Sequence, residues 1–465
     1  MNKNKIIVFG CWGDSNNTDN DNNPWFKTVF KEIKKEEKVD FFIVNGDNYY
    51  QKKNKDKDED KTKESILVSI PDTTTTTTTS KSKKKKSTDK ESTDKEVEEI
   101  KLETGFKDLF TLLDEKRETQ KPKELFLLMG NHDLESINDV CETTKLEMKQ
   151  VNNYISKERI HLPTNITMFK EINNTLFIMI DTNIYTDDII KHVNCYDIII
   201  DNNNNKKPIY NNDDTNEEKI KSLINHQSNL IVDKLKGKNY KNIIVCGHHP
   251  LFGIKNQKTK IKIKDGKLKL KGGIETLSKD FYDLFLNVIN EKADNYYYLC
   301  ADIHNYQKGE VTISNGKKEI KINQYIVGTG GASQDDDYDE KYSDYYNEIP
   351  CILNRFFPKE SNNGITIKKT KKFSVFSLKK DVDEIKLVYE IDQHTSQYGY
   401  IVVEIINGFV TIQPRMIQGK LINKCSNIKS RKRGYSLPLR RTYKTKTRSR
   451  SKRRSVRSER KIKSI

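Results

Sequence analysis

Five short apolar segments of this chain each lead into a turn that carries polar, ligand-type side chains. The segments with their turns are Ile6–Asp14, Phe41–Tyr50, Leu127–Asp133, Ile243–Pro250 and Tyr296–Gln307. A continuous apolar run is typical of a strand buried on both faces, and the carboxyl ends of such strands form the edge where α/β proteins build their sites. The pattern therefore predicts an α/β fold whose strand ends converge on one site.

The side chains at these turns belong to four ligand classes. They are the carboxylate Asp47, the amide Asn131, the imidazoles His248 and His304, and the phenol Tyr50. This mixture suits borderline-to-hard ions such as zinc, iron, manganese or magnesium. Together the turns offer ligands for two metal ions.

The order and content of the turns resemble the calcineurin-like metallophosphoesterases, and most closely the small purple (tartrate-resistant) acid phosphatases. The family motifs GDNFY, GNHD, GHxP and GHDHNLQ are matched by Gly46–Tyr50, Gly130–Asp133, Gly247–Pro250 and Ala301–Gln307. Each motif is weak alone, but the set is specific, and it covers roughly residues 5–50 and 100–415 with insertions. The resemblance implies a four-layer αββα sandwich and hydrolysis of phosphomonoesters.

Carried over position by position, the resemblance implies two metal ions, with iron, zinc or manganese as the choices. Asp47 would bridge the two ions. Tyr50 and His304 would ligate the first ion, and Asn131 and His248 would ligate the second.

The resemblance also implies roles in the reaction. His132 would contact the phosphate and donate a proton to the leaving group, with Asp133 orienting it, while a metal-bound hydroxide attacks phosphorus. His249 directly follows a ligand and would line the substrate pocket. The implied partner is a phosphorylated substrate.

Two positions depart from the family pattern, because Cys11 stands where the family has Asp and Asp302 stands where it has His. If Cys11 is a thiolate, the ligand set gains one negative charge, because Asp302 replaces a neutral imidazole. A Cys11 thiol, or a cysteine that does not ligate, would hold the first metal more weakly; a free thiol titrates near ~8.5. Asp14 could replace it only through a different turn. The alternative function is therefore a catalytically weak or inactive phosphoesterase-fold binding protein.

The composition indicates one folded body with polar additions. Hydrophobic residues make up 34% of the chain and charged residues 32%, so the 465 residues hold too little apolar material for a large second core. The expected organisation is a phosphoesterase domain in 1–50 and 99–426, a low-complexity insertion in 51–98, a lysine-rich hairpin insertion in 254–273 and a basic, disordered tail in 427–465.

The basic character of the chain belongs to its tail. Residues 427–465 contain 17 Lys and Arg against the single acid Glu459, which accounts for nearly all of the net charge of +17. Such an arm could bind nucleic acid, act as a nuclear address, attract an anionic membrane or remain solvated without a partner. In a third hypothesis, binding by the tail is the main function, and the tail brings the folded body to nucleic acid or to a particle.

The seven cysteines and the N-terminus suggest an intracellular protein. The cysteine number is odd and contains no CxxC pair, so neither a disulfide framework nor a zinc knuckle is expected. No signal peptide precedes the first strand, and no apolar run reaches the ~18 residues of a membrane span. We therefore expect a cytoplasmic protein, nuclear if the tail directs it there.

Local patterns predict two helices and two hairpins. One helix begins at Pro24 after a cap at Asn22 or Asn23 and buries a stripe at i, i+3, i+4 and i+7. A second covers Glu217 to Leu235. The hairpins turn at Asn407-Gly408 and at Asp265-Gly266. The second alternates aliphatic and lysine residues from Lys260 to Lys271, and its lysine face would either steer anionic substrates or be solvated, with the acidic loop 335–340 as another possible partner.

Overall fold

The computed structural model describes residues 3–14, 17–18, 23–50, 101–114, 123–134, 141–162, 166–201, 209–211, 213–254, 260–264, 267–271, 274–332, 365–367, 385–395, 397–417 and 422–423. The strands, in chain order, are β1 Lys3–Phe9, β2 Phe41–Val44, β3 Glu124–Leu127, β4 Ile160–His161, β5 Thr167–Ile172, β6 Thr175–Ile180, β7 Tyr240–Cys246, β8 Phe252–Ile254, β9 Lys260–Lys264, β10 Lys267–Lys271, β11 Ile274–Thr276, β12 Ala293–Cys300, β13 Tyr306–Ser314, β14 Glu319–Val327, β15 Ile365–Ile367, β16 Ile385–Thr395, β17 Gly399–Ile406, β18 Phe409–Met416 and β19 Ile422–Asn423.

Helices connect most of these strands. The α-helices are α1 Trp25–Ile33, α2 101–110, α3 Asn131–Leu134, α4 Glu142–Asn153, α5 Cys195–Asp201, α6 Asn216–Leu235 and α7 Lys279–Leu284. The last continues into one π-helical turn at Phe285–Ile289, and short 3-10 turns cover Lys157–Arg159, Asn183–Tyr185 and Asp187–Lys191.

Two large sheets form the centre of the fold. The first has the order β18-β17-β1-β2-β3-β4, and the second has the order β15-β16-β13-β14-β12-β7-β6-β5, with β19 beside β16. Strands β1 to β4 are parallel to one another, as are β6, β7, β12 and β14. In each sheet, the carboxyl ends of several parallel strands therefore lie side by side.

Alternation along the strands places helices on the outer faces of both sheets. On β1, Ile6 and Val8 pack between the sheets against residues such as Phe177, whereas Ile7 and Phe9 face a core shared with α1 and α2. The outer face of the second sheet packs against α6 and α7. Because successive side chains point to opposite faces of a strand, continuous apolar strands fill both cores. The predicted four-layer αββα sandwich is confirmed.

The local predictions are largely confirmed. Helix α1 buries the predicted stripe, but it begins at Trp25, because Pro24 is extended and bridges Thr18. Helix α6 starts one residue before the predicted Glu217, after a capping box made by Thr215. The closing hairpin turns at Asn407-Gly408, where both φ angles are positive, as a type I′ turn requires.

The lysine-rich hairpin has the register that its alternation predicts. Strand β9 pairs antiparallel with β10, and Lys264 lies opposite Lys267. The turn Asp265-Gly266 lies outside the described residues, as do the insertion 51–98, the acidic loop 335–340 and the tail 427–465. Within the described ranges, no helix is both long and apolar enough to cross a bilayer.

One disulfide is present that the cysteine spacing did not predict. Cys141, at the start of α4, is bonded to Cys195, at the start of α5, across 54 residues of chain. Spacing says nothing about which distant cysteines the fold brings together. Disulfides persist mainly in oxidising compartments, so this bond does not support the reducing intracellular compartment that was expected from the sequence. Cys11, Cys246 and Cys300 are free and buried.

Glu171 on β5 should contribute to stability in a pH-dependent way. Hydrogen bonds from Lys234, Tyr240 and Lys238 lower the pKa of Glu171 to about 2, although its side chain is 40% exposed. Its contribution is therefore present above the unfolded pKa of ~4.3 and is lost as pH falls toward the folded value. Glu171→Gln should cost at most about 1 kcal/mol at pH 7. Urea unfolding of both proteins should show this difference shrinking below pH ~4.3; an equal difference at pH 7 and pH 3 would contradict it.

Candidate metal centre

The five turns predicted to carry ligands meet at the carboxyl ends of parallel strands from the two sheets. Three of them follow β1, β2 and β3 of the first sheet, and two follow β7 and β12 of the second. The turns are joined by backbone hydrogen bonds, such as Cys11 N to Gly46 O at 3.0 Å and Ala301 N to His248 O at 2.8 Å. The site therefore lies where parallel strands of both sheets end.

The carboxylate of Asp47 lies at the centre of the site, and its two oxygens face different groups. Oδ2 accepts from the Tyr50 hydroxyl at 2.8 Å and lies 3.7 Å from Cys11 Sγ. Oδ1 lies 3.2 Å from His248 Nε2 and accepts from the His132 backbone N–H at 3.1 Å. One carboxylate thus serves two sides, as a bridging ligand must.

His248 is at the centre of what we call the second side of the site, the group of residues that faces Asp47 Oδ1. Its Nε2 lies 3.0 Å from Asn131 Oδ1 and 4.0 Å from Asp302 Oδ1. Its Nδ1 lies 2.7 Å from the carbonyl oxygen of Asn45. A carbonyl can only accept, so Nδ1 carries a hydrogen, and in the neutral ring Nε2 then presents its lone pair to the site. This is the tautomer that a metal ligand needs.

The first side of the site, the group of residues that faces Asp47 Oδ2, contains the other predicted ligands. The Tyr50 hydroxyl lies 2.9 Å from His304 Nε2, and Cys11 Sγ belongs with Asp47 and His248 to one group whose ligand atoms all lie within 4.8 Å of one another. The seven side chains predicted as ligands are thus brought together: Cys11, Asp47, Tyr50, Asn131, His248, Asp302 and His304. Their assignment as ligands stays a prediction.

The donor atoms fit metal ions better than they fit one another. Oxygen and nitrogen ligands at ~2.1 Å from one ion lie roughly 3.0–3.4 Å apart. The separations of His248 Nε2 from Asp47 Oδ1 and from Asn131 Oδ1 are 3.2 and 3.0 Å. When His248 is neutral with its hydrogen on Nδ1, Nε2 and Asn131 Oδ1 are both acceptors and cannot bond each other, whereas both can bind a cation. The residues present fit a metal centre.

The buried charged groups of the site shift one another's pKa values. Burial opposes ionisation of Asp47, but the charges of His248 and His132 hold its pKa well below the ordinary value. Burial likewise opposes a charged His248, yet the Asp47 carboxylate raises its pKa to about 9. Burial, and then Asp47, raise the pKa of Cys11 and of Tyr50. Without a cation, Cys11 is a neutral thiol and Tyr50 a phenol.

The backbone at three candidate ligands is left-handed. The φ angles are 52° at Cys11, 52° at Asp47 and 55° at Asp302. Non-glycine residues rarely adopt this conformation, and where they do the strain is often found at functional sites. The two positions that depart from the family pattern therefore still have turn geometry comparable with that of Asp47. Gly130 is needed nearby, since a Cβ there would lie 2.2 Å from Asp47 Oδ1.

Asp133 holds the turns together rather than facing the ligands. Its carboxylate accepts from the backbone N–H of Asn48 at 2.7 Å and of Gly130 at 2.7 Å, and from the Asn48 amide at 3.0 Å. Burial, and then the charge of Asp47, raise the pKa of Asp133 to about 6. The side chain of Asn48 in turn accepts from Trp12 Nε1 at 3.1 Å. Whether Asp133 also orients His132 stays a prediction.

Sequence reasoning missed the residues that position the ligands. The Asn45 carbonyl selects the His248 tautomer, Thr182 binds the backbone of the β7 turn, and Trp12 anchors the β1 turn against α1 and α2. Asp181-Thr182 follows a strand as the ligand turns do, and this was the available signal. The Asn45 carbonyl left none, because a backbone atom has no sequence signature.

The predicted substrate side chains are less buried than the candidate ligands beside them. His132 and His249 are half-buried, whereas Asp47 and His248 are buried. The ring of His132 lies 4.6 Å from that of Tyr50. Solvent can therefore reach these two imidazoles in part, whereas the neighbouring candidate ligands Asp47 and His248 are closed off from it.

Comparison with known proteins identifies the family of this chain. The sequence pattern of the calcineurin-like phosphoesterases matches residues 4–306, well over half of the chain. The chain belongs to this family. It is thus a metal-dependent phosphoesterase in general terms, and its candidate ligands lie within the matched region or directly at its end. No curated protein sequence matches the chain. A solved structure of PhoD is similar to 90% of this chain and 72% of its own, at 10% identity and a TM-score of 0.40.

Proposed function

We propose that this phosphoesterase hydrolyses phosphomonoesters at a centre of two metal ions, in the manner of the small purple acid phosphatases. The observation that carries the proposal is Asp47, whose two carboxylate oxygens face two separate groups of ligand-type side chains. Two ions would polarise the phosphate and activate water at neutral pH. Iron, zinc and manganese all suit the donor set.

The residues of the site would have three roles: binding the ions, donating a proton and positioning the turns. Asn131, His248 and Asp302 would hold one ion, and Cys11, Tyr50 and His304 the other, with Asp47 shared. His132 would donate the proton that the leaving oxygen needs, because its side chain is only half-buried and its backbone N–H donates to Asp47 Oδ1, which keeps it beside the centre. Asp133 would keep the turns of Asp47 and Gly130 in place.

Metal content and activity measured on one sample test the proposal. We expect two tightly held ions per chain and hydrolysis of an aryl phosphate that is lost on chelation and returns with manganese or zinc. Hydrolysis without metal, or a chain that holds two ions but cleaves only phosphodiesters, would contradict the phosphomonoester assignment.

A weak or inactive phosphate-binding protein is the alternative, and the environment of Cys11 favours it. The thiol is buried against Asp47, so it is uncharged where the family has a carboxylate. If the thiol keeps its proton beside an ion, that ion has one anionic ligand fewer. One tightly held ion, phosphate binding and no turnover would support this alternative.

Cys11→Asp should increase activity. The carboxylate restores a charged ligand, and Asp tolerates the left-handed backbone better than most residues. We expect tighter metal binding and a roughly tenfold rise in kcat/KM, about 1.4 kcal/mol of transition-state stabilisation. Cys11→Asn is the matched control, with the same shape and no charge. Loss of metal in Cys11→Asp would show that the cysteine is not a weakened ligand.

A further inference from the structure

The hydroxyl of Thr182 lies among three nitrogen atoms. Its Oγ1 is 3.1 Å from the backbone N of His248, 3.0 Å from the backbone N of His249 and 3.0 Å from Nδ1 of the His249 ring. Thr182 follows β6 and is completely buried. The two backbone nitrogens can only donate, so they occupy the two lone pairs of the hydroxyl oxygen.

The hydrogen of this hydroxyl determines the tautomer of His249. Among the described residues, the acceptor that it meets is Nδ1 of His249. A ring nitrogen that accepts carries no hydrogen, so neutral His249 holds its proton on Nε2. Neutral His248 has the opposite tautomer, because its Nδ1 donates to the Asn45 carbonyl. Two adjacent histidines therefore offer different chemistry, a lone pair on one Nε2 and an N–H on the other.

The ring of His249 borders the second side of the metal centre. One of its nitrogens lies within 4.8 Å of the ligand atoms of His248 and Asp302. The rings of His248 and His249 are nearly perpendicular, with centroids 4.9 Å apart. His248 is fully buried, whereas His249 is half-buried. His249 therefore lies next to the candidate ligands and is also partly exposed to solvent.

The backbone at His249 is held in place from several directions. The Tyr298 hydroxyl donates to its carbonyl at 2.6 Å, and Gln324 Oε1 accepts from Leu251 N at 2.8 Å. A Cβ on Gly247 would lie only 2.5 Å from Cγ2 of Thr182, so the turn and Thr182 are in close contact. A donor on such a support keeps its position, which is what productive binding of an anion requires.

We propose that His249 binds the phosphate group of the substrate through Nε2–H, and that Thr182 is the positioning residue that sets this tautomer. The inference rests on the proposed function, since it concerns the phosphoester at the same centre. A neutral Nε2–H cannot bind a metal, which separates His249 from the ligand His248 beside it. A hydrogen bond to a charged oxygen is worth roughly 10- to 100-fold in affinity.

A pair of His249 variants tests the donor. The side-chain amide of His249→Gln falls near the former Nε2, whereas that of His249→Asn falls near the former Nδ1. Inorganic phosphate is titrated calorimetrically into the zinc-loaded, full-length proteins, and zinc content is measured on each sample. We expect His249→Asn to weaken phosphate binding roughly 10- to 100-fold and His249→Gln to stay within about threefold of the native protein. Both should retain the native zinc content.

The role of Thr182 has its own readout, the tautomer of His249. In protein labelled with ¹⁵N-histidine, the His249 signal, assigned by its absence from His249→Gln, should show a protonated Nε2 and an unprotonated Nδ1. Thr182→Val should change that pattern and weaken phosphate binding, whereas Thr182→Ser should restore both. Thr186→Val, which removes a hydroxyl bound to the Asn183 carbonyl on the same segment, is the control and should change neither.

Three results would overturn the inference: a protonated Nδ1 on His249, equal phosphate affinities in the Asn and Gln variants, or zinc loss in both, which would make His249 a ligand. The native protein separates this failure from failure of the proposed function. If it holds two ions and binds phosphate through His249 but hydrolyses no monoester, the proposed function fails and the inference stands.

Discussion

Asp47→Asn should remove most of the activity and at least one metal ion. The substitution replaces a carboxylate with a neutral amide that has one acceptor oxygen, so it cannot serve both sides of the centre. Metal ions stabilise the charge of the transition state by several kcal/mol. We expect kcat/KM to fall by about 10³-fold or more, a loss of roughly 4 kcal/mol. Metal analysis of the same sample should show fewer than two ions per chain.

Asp233→Asn is the control for this experiment. Asp233 is exposed on α6, so the variant makes the same chemical change outside the centre and should keep its metals and its rate. Native metal content and rate in Asp47→Asn would mean that Asp47 does not bridge two ions, and the proposed mechanism would have to be abandoned.

His132→Asn should slow hydrolysis according to the leaving group. A general acid contributes ~10²- to 10⁴-fold when the leaving group needs a proton. An alkoxide needs one, whereas a nitrophenolate leaves almost unaided. We therefore expect a loss of about 10²-fold or more on an alkyl phosphate and roughly tenfold or less on a nitrophenyl phosphate. Metal content should not change, because the His132 contact to Asp47 is made by its backbone N–H.

The two substrates provide the internal control for His132. Equal losses on both would show that His132 acts in binding or on the nucleophile rather than on the leaving oxygen. Loss of metal would show that its side chain supports the ligand turns, and the role of general acid would then be wrong.

The sequence located the ligand turns because each is continuous in the chain. A buried strand followed by Gly46-Asp47 or by Gly130-Asn131-His132 is a local pattern, and the layered fold places such strand ends together. The same reasoning predicted the stripe on α1 and the register of the hairpin at Asn407-Gly408. These features depend on neighbours a few residues away, which the sequence displays directly.

The contacts between different turns could not be predicted from local sequence patterns. Asp133 accepts from Asn48, 85 residues earlier, Asn45 accepts from His248, 203 residues later, and Cys141 is bonded to Cys195. Partners of this kind are set by the packing of two sheets, and several of them are backbone atoms that carry no residue-specific signal.

The sequence by itself determined which chemical groups the centre contains, including the cysteine and the aspartate that depart from the family pattern. Only the tertiary structure decided how these groups face one another: that the two oxygens of Asp47 contact different groups, and that the Nδ1 atoms of His248 and His249 have different hydrogen-bond partners. The physical reason is that a residue's type establishes its donors and acceptors, whereas their direction depends on partners that only folding brings within 3 Å.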